Sequence, residues 1–436
     1  MKTLLLSHDV TFRKQAERRF TTKISNNTSV SSRLSNFTKS PTWFHDLPLE
    51  VLLKIFSNFS EKELRKNIIP VCQKWRYAAL KPQLWKCFEV VGGKIPLNRI
   101  CYEINRFPYL QIVVLKSVHD PKQIIRQVCR CLSNLKELTI KDCEEIPEKT
   151  LINVLYSCRN LEKLNLSGTP FRGKKVFEDI SLLPNLKSLN LAKNPYITIQ
   201  KLTTCVLNCT GLEEFRLSKW VSLDEILKFD DQDVSPILLN LSSSLRSLTL
   251  DCSNLTTNSF NKIFTCNCLE RLSLHRAKHL DGEMFAKLHR YFPALTVLKV
   301  KHASQISDAN IVQLFTEGEE IMENLQTLDL SGCWQLTDNG LRCIINCCKN
   351  LNRLSLQGCK RLTSVSPLLD INLNFLNIAF NVNMDIENVE NLKIKELIID
   401  EQQEKQIFEK VTGVIVWVSR SEYRKCLRKM NMSFEK

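Results

Sequence analysis

The 436-residue sequence is poor in the residues on which most enzymes depend. It has only 11 glycines and 7 histidines, and no glycine-rich phosphate loop of the Walker or Rossmann type. The G-x-S-x-G motif of serine hydrolases and the H-E-x-x-H motif of zinc peptidases are absent as well. We therefore do not expect the chain to be an enzyme, and we expect neither a cofactor nor a metal ion.

Long apolar runs are also missing. No stretch approaches the roughly 20 apolar residues that a membrane-spanning helix needs, and the N-terminus has only the leucine run 4–6. Eighteen cysteines without a secretory signal indicate reduced thiols. We expect a cytoplasmic or nuclear protein that does not associate with a membrane.

Acidic residues are the minority charge. The chain has 61 Lys and Arg against 46 Asp and Glu, a formal net charge of +15. Residues 1–40 are basic and rich in Ser and Thr, which predicts a disordered segment. The positive charge leaves nucleic acid open as a partner, although a lysine-rich soluble surface explains it equally well.

What the sequence does have is a repeat. The pattern L-x-x-L-x-L recurs twelve times between Leu110 and Ile399, at a spacing near 26 residues, and every apolar slot is Leu, Ile, Val or Phe. Slots +3 and +5 alternate with polar residues, as in a strand with one buried face, and a helical pattern follows. The units open at Leu110, Leu135, Leu161, Leu186, Leu212, Leu245, Leu269, Leu295, Leu325, Leu351, Leu373 and Ile394.

One strand and one helix in each unit are typical of leucine-rich repeats. Cysteines at slot +8, such as Cys143, Cys333 and Cys359, resemble the cysteine-containing subclass. Ser307 and Thr337, each followed by Asp, are predicted helix N-caps. Stacked units give a curved α/β solenoid, a horseshoe with the strands on the inside.

Residues 43–89 form a second pattern, with three predicted short helices and more apolar residues than so small a segment can bury. The pairs Leu47-Pro48, Ile55-Phe56, Val71-Cys72 and Leu84-Trp85, with Leu64 and Trp75 between them, resemble the F-box family. That resemblance implies a small all-α domain that binds the Skp-type adaptor of cullin-based ubiquitin ligases. The adaptor-contacting residues that it implies are Leu47, Pro48, Ile55, Phe56, Leu64, Val71, Trp75 and Trp85. Alternatively, some of them, especially Trp75 and Leu84, fill the domain's own core.

The order of the two patterns resembles F-box/leucine-rich-repeat substrate receptors. The predicted division is a basic segment 1–40, an F-box 41–90, a linker or capping unit 91–109, about twelve repeats over 110–405, and a C-terminal cap with a basic tail 406–436. The resemblance implies a receptor that holds a protein substrate for ubiquitination and proteasomal degradation, bound to the adaptor and through it to a cullin. Two alternatives stay open: a scaffold outside any ligase, mitochondrial if residues 1–40 are a transit peptide, and a nucleic-acid-binding repeat protein.

Slots +2, +4 and +6 of each unit are predicted to line the concave face. Basic residues gather there in neighbouring units, and we expect them to bind an acidic or phosphorylated segment, the alternative being an ordinary solvated face. This predicted substrate site consists of Arg216, Arg271, His275, Lys299, Lys301 and Arg353. The long unit 212–245 is predicted to carry an acidic loop that meets the basic residues or a partner, the alternative being a tolerated insertion. Its acidic residues are Asp224, Glu225, Asp230, Asp231 and Asp233. Trp220 and Trp334 are predicted to be aromatic anchors at the rim or core filler.

Overall fold

The structure is a computed structural model. It describes residues 47–92, 96–194, 196–197, 199–217, 230–407 and 414–419. The predicted basic segment 1–40 and the basic residues at the C-terminus lie outside these ranges, as does Trp220.

Three short helices form the N-terminal segment. Helix α1 spans Leu49–Phe56, helix α2 spans Glu61–Glu63 and continues as a π-helix over Leu64–Ile68, and helix α3 spans Gln73–Ala79. The sequence predicts that α3 begins at Pro70. It begins three residues later because the preceding residue, Cys72, is its N-cap.

The rest of the described chain forms a solenoid. Its strands make one parallel sheet in which each strand pairs with its sequence neighbours, so the order of the strands in the sheet is their order in the chain. The strands are β1 Cys87–Val91, β2 Ile112–Lys116, β3 Glu137–Lys141, β4 Lys163–Asn165, β5 Ser188–Asn190, β6 Glu214–Leu217, β7 Ser247–Asp251, β8 Arg271–His275, β9 Val297–Val300, β10 Thr327–Asp329, β11 Arg353–Ser355, β12 Asn372–Asn377, β13 Lys393–Asp400 and β14 Ile415–Ser419.

Helices connect most of these strands on the outer side. They are α4 Leu97–Arg106, α5 Lys122–Cys131, α6 Glu148–Ser157, α7 Lys175–Ser181, α8 Ile199–Leu207, α9 Asp231–Leu241, α10 Thr257–Ile263, α11 Gly282–Ala286, α12 Leu288–Tyr291, α13 Asp308–Glu317, α14 Glu319–Met322, α15 Asp338–Cys347 and α16 Glu401–Ile407. Between β11 and β13 the connections shrink to the 3-10 turns Ser366–Leu368 and Val389–Asn391. The shorter connections match the shorter spacing of the last predicted units.

The core lies between the sheet and the helices. Slot +3 of successive units is aligned by the strand register, so that Leu298, Leu328 and Leu354 stack across neighbouring strands and are fully buried. Each unit covers the apolar edge of the next, which is why one unit alone would not be stable. The predicted leucine-rich-repeat architecture is therefore confirmed.

The solenoid begins one unit before the first predicted repeat. Strand β1 pairs with β2, and α4 buries Ile100 and Ile104, so residues 91–109 belong to a repeat rather than to a linker or cap. Trp85, Phe88 and Val90 occupy slots 0, +3 and +5 of this unit, 25 residues before Leu110. The sequence therefore contains this repeat, but its slot 0 is Trp instead of Leu or Ile, so the L-x-x-L-x-L pattern does not detect it.

The solenoid also continues into the predicted C-terminal cap, 406–436. Strand β14 pairs with β13, with Val416 beside Leu397 and Val418 beside Ile399. Here slot 0 of the pattern is Gly413, so the L-x-x-L-x-L wording is lost. Of the strand that the sequence predicts over 411–418, residues 415–418 lie in β14, the last strand of the described chain, and residues 411–413 lie outside the described ranges.

The repeat cysteines are buried thiols. The Sγ of Cys333 donates a hydrogen bond to the Val300 carbonyl oxygen at 3.4 Å, and Cys359 does the same to Leu330 at 3.2 Å. Burial raises the pKa of Cys333 to about 12, so its thiol stays protonated. The seventeen cysteines that the described ranges contain are all free, and ten of them, including Cys333 and Cys359, are buried as small apolar side chains.

Aspartates at the start of some helices connect neighbouring repeats. Ser307 and Thr337 cap α13 and α15 as predicted. In addition, Asp308 accepts a hydrogen bond from the Thr337 backbone N–H at 2.9 Å and another from its hydroxyl. Asp338 repeats this contact with Thr363 of the following unit. Sequence reasoning missed these contacts because donor and acceptor belong to different repeats.

Replacing Asp308 by Ala is expected to lower the free energy of unfolding by roughly 1–3 kcal/mol. The substitution removes two hydrogen bonds, each contributing about 0.5–1.5 kcal/mol, and weakens the cap of α15. Urea unfolding followed by circular dichroism measures the loss. Asp308→Asn keeps one acceptor oxygen and should lie between the wild type and Asp308→Ala; equal stability of all three would contradict the role.

Candidate functional site

The N-terminal helices have a core of their own. Phe56 packs edge-on against Trp75 with 5.4 Å between ring centroids, and both are buried with Leu52, Leu64 and Ile68. This core is complete without a partner. The apolar residues outside it therefore form a separate surface, and they are the ones that a partner can reach.

Burial divides the eight predicted adaptor contacts into two groups. Phe56, Leu64, Trp75 and Trp85 are each at most 2% exposed, so in this conformation they have almost no surface to offer a partner. They fill cores instead, which is the alternative that the sequence left open. The reason is geometric: on a short amphipathic helix, the residues nearest the neighbouring helices are covered first.

The other four predicted contacts lie at or near the surface. Pro48 is exposed, and Leu47, Ile55 and Val71 are half-buried. Sequence reasoning missed Val51, which is 40% exposed. Positions 48, 51 and 55 follow the i, i+3, i+7 spacing of one helical face, so they form an apolar stripe along α1.

The concave face holds the predicted substrate site, but two of its six residues are occupied. The Arg271 guanidinium lies 2.6 Å from the carboxylate of Glu214 and 3.6 Å from that of Glu270. The Lys301 amine lies 2.7 Å from the carboxylate of Asp329. Their charges are balanced by carboxylates within the chain, and their role as ligand-binding cations stays a prediction.

Three of the six remain available. Arg216 and Lys299 make no ion pair within 4 Å among the described residues, and the Arg353 guanidinium lies 4.0 Å from the ring centroid of Phe375. Burial lowers the pKa of the Lys299 amine, the carboxylate of Asp329 raises it, and the positive charges of Lys301, Arg353 and Arg216 lower it. Lys299 is therefore within electrostatic reach of both other cations. We call Arg216, Lys299 and Arg353 the basic strip.

Comparisons with known proteins agree with both parts of the chain. The F-box-like family model matches residues 44–89. The chain joins an F-box-like domain to leucine-rich repeats. An F-box/LRR-repeat protein of Arabidopsis thaliana is 24% identical over 196 residues, which are 34% of this chain and 63% of the relative. F-box/LRR-repeat protein 4 of Bos taurus is 28% identical over 191 residues, 42% of this chain and 29% of the relative.

The alignments with these relatives therefore cover less than two thirds of their lengths. Among solved structures, a chain of the crystal structure of the Rad7 and Elc1 complex in yeast has a similar fold. The TM-score is 0.51 at 17% identity, over 93% of this chain and 97% of that chain. This similarity extends over nearly the whole solenoid.

The F-box contacts the first repeat through Trp85 and Glu61. The indole Nε1 of Trp85 donates to the Ala79 carbonyl oxygen at 2.8 Å, and its ring stacks on Phe107 with centroids 4.9 Å apart. The carboxylate of Glu61 also accepts from the Cys87 backbone N–H at 2.5 Å. Trp85 thus fixes the F-box against the repeats, which explains its burial.

His275 is the sixth residue of the predicted substrate site, and it is not a cation at neutral pH. Burial lowers its pKa to about 4, and the neighbouring charge of Lys301 acts in the same direction. The basic strip therefore does not depend on histidine protonation above about pH 5.

The lowered pKa of His275 predicts a loss of stability in acid. Between about pH 6.5 and 4 the unfolded chain binds a proton at this residue and the folded chain does not, so stability falls as the pH falls. His275→Gln should reduce the shift of the urea midpoint between pH 7 and pH 5. His302, whose pKa is also lowered by burial, is unchanged in that comparison. An identical shift in wild type and variant would contradict the expectation.

The predicted acidic loop is partly helical. Asp230 is the N-cap of α9, accepting from the backbone N–H groups of Gln232 and Asp233, and Asp231 accepts from the hydroxyl of Ser259 at 2.6 Å. These carboxylates are used within the solenoid, which corrects their assignment to a loop that meets the basic residues. Trp334 is 46% exposed and so is not core filler.

Two further findings concern the described ranges as a whole. They contain no cluster of three or more His, Cys, Asp or Glu side chains arranged to hold a metal ion. None of their helices combines the length and the apolar content needed to span a bilayer.

Proposed function

We propose that this chain is the substrate-recognition subunit of a Skp–cullin–F-box ubiquitin ligase. The observation that carries the proposal is the F-box-like domain with a complete core and a leftover apolar stripe at Pro48, Val51 and Ile55. Exposed apolar stripes of this kind are typical of protein interfaces. The stripe would bind the Skp-type adaptor, and the adaptor would bind a cullin.

The junction at Trp85 supports this role. A receptor contributes no bond-making chemistry; it raises the local concentration of its substrate and fixes its orientation toward the partner enzyme. The contacts of Trp85 and Glu61 between F-box and repeats would hold that orientation. Rad7, of similar fold, forms a complex with Elc1, and we propose that this chain likewise binds a second protein. We place it in the cytoplasm or nucleus, where its thiols stay reduced.

Reconstitution tests the adaptor part of the proposal. The full chain is mixed with a Skp-type adaptor and a cullin and separated by size-exclusion chromatography. The expected result is a stable complex with one copy of each protein. Elution of this chain by itself, at micromolar concentrations of all three, would reject a ligase role.

For the repeats, we propose that the basic strip binds an acidic or phosphorylated segment of a protein substrate. Among the described residues, Lys299 and Arg216 form no ion pair within 4 Å, although Asp329 is the register neighbour of Lys299. The register places both cations on the same concave row, separated only by Thr249 and Ser273. Charge-assisted hydrogen bonds to a carboxylate or phosphate are the strongest contacts that such residues form.

Charge reversal tests this substrate class. Arg216→Glu with Lys299→Glu should weaken binding of a fluorescent phosphoserine peptide, or of a substrate captured under proteasome inhibition, at least tenfold. Lys149→Glu, on the exposed side of α6, is the matched control. Equal binding by both variants would reject the strip. Binding that depends steeply on salt and prefers RNA or DNA would favour the nucleic-acid alternative.

A further inference from the structure

The concave face changes character toward its C-terminal end. The strand register aligns one row of concave residues from the basic strip to the last strand: Arg216, Thr249, Ser273, Lys299, Asp329, Ser355, Asn377, Ile398 and Trp417. A parallel row ends in Arg353, Phe375, Glu396 and Ile415. We call Phe375, Ile398, Ile415 and Trp417 the apolar end.

The apolar end is not part of the solenoid core. Val414, just before β14, and Val418, on β14, pack against that core, so the alternate residues Ile415 and Trp417 point to the other face. Trp417 is 59% exposed and Ile415 is 56% exposed. An exposed Trp beside other apolar side chains is the composition that binding hot spots favour.

The positive charge of the basic strip, next to the apolar end, favours one kind of bound segment. Arg353 stacks on Phe375, so the basic strip and the apolar end meet without a gap. An occupant that covers both must be acidic at one end and apolar at the other. Residues 420–436 follow β14 directly but carry six Lys and Arg against two Glu, so they would be repelled by the basic strip. A segment of another protein fits better.

The register also sets the spacing of the two groups. Neighbouring strands lie about 4.8 Å apart, so Lys299 on β9 is roughly 19 Å from Ile398 and 24 Å from Trp417 along the row. An extended peptide advances about 3.3 Å per residue. The acidic group and the apolar group of the occupant would therefore be about six to seven residues apart.

We propose that β9–β14 recognise one extended substrate segment that carries an acidic or phosphorylated residue and, six to seven residues away, a large apolar side chain that binds the apolar end. This rests on the proposed function of the repeats as the substrate-binding part. The apolar end would be a second specificity element beside the basic strip. It would also require a fixed spacing between the acidic and the apolar residue of the substrate, which the basic strip alone would not.

Fluorescent peptides test the spacing with the full chain. One series places phosphoserine seven residues from Trp, a second places them two residues apart, and a third has Ser instead of Trp. Fluorescence anisotropy should show the first peptide binding at least tenfold more tightly than the other two. Affinity that is independent of the spacing, or no binding of any peptide at 100 μM, would overturn the proposal.

Variants identify the surface. Trp417→Ser should lower the affinity for the first peptide to that for the third, whereas Trp417→Phe should retain most of the affinity. Tyr156→Ser, which removes an exposed aromatic side chain on α6, outside both rows, should have no effect. If deletion of 420–436 tightens binding tenfold, those residues occupy the surface themselves and the proposal fails. Adaptor binding should be unchanged in all of these variants. A wild-type chain that binds the first peptide but no adaptor would count against the ligase role and not against this surface.

Discussion

Replacing Val51 by Glu is expected to lower the affinity for a Skp-type adaptor by about 30-fold or more. Val51 lies in the centre of the apolar stripe on α1, between Pro48 and Ile55, and a carboxylate there would be desolvated by an apolar partner without a counter-ion. Loss of a central apolar contact typically costs at least about 2 kcal/mol, which corresponds to that factor. Isothermal titration calorimetry measures the change.

The substitution should leave the fold intact. Position 51 is in the first turn of α1 and is well exposed, and an acidic side chain is favourable at the N-terminus of a helix. Tyr156→Glu, at an exposed position on α6, is the control for a new surface charge. Leu47→Ala with Pro48→Ala should also abolish binding without unfolding the repeats. Wild-type affinity in both F-box variants would mean that the stripe is not the interface.

Replacing Leu328 by Asp is expected to unfold the central repeats. Leu328 is fully buried between Leu298 and Leu354, so the change removes burial that contributes about 1.5–3 kcal/mol. It also places an unpaired carboxylate in an apolar core, which costs several kcal/mol more. Together these approach the roughly 5–15 kcal/mol by which a typical domain is stable. Far-UV circular dichroism and urea unfolding measure the loss.

Thr327→Asp provides a stringent control for this prediction. Thr327 precedes Leu328 on β10 but faces the concave side and is partly exposed. The same new charge, one residue away, should change stability by no more than about 0.5 kcal/mol. Because each repeat is stabilised by its neighbours, the repeats next to β10 should unfold first. The F-box core around Phe56, far along the chain from β10, should unfold at a higher urea concentration. A native spectrum and midpoint for Leu328→Asp would contradict the assigned register.

The adaptor surface was only partly predictable. The F-box sequence motif implied eight contact residues, but which of them reach the surface depends on how the three helices pack. Trp85 shows the difficulty, since it belongs both to the F-box wording and to slot 0 of the first repeat. Its stacking on Phe107, 22 residues later in the chain, decides that it is a core residue.

The sequence by itself determined the strands of the twelve predicted repeats, most of their helices, the identity of the core leucines and the presence of an F-box. These are consequences of local periodicity, because a side chain's face on a strand or helix depends only on its position along that element. The tertiary structure decided which charges are free. Arg271 is neutralised by Glu214, 57 residues away, and Lys301 by Asp329 in the next repeat. Ion pairs between repeats depend on register and side-chain reach, which no pattern within one repeat contains.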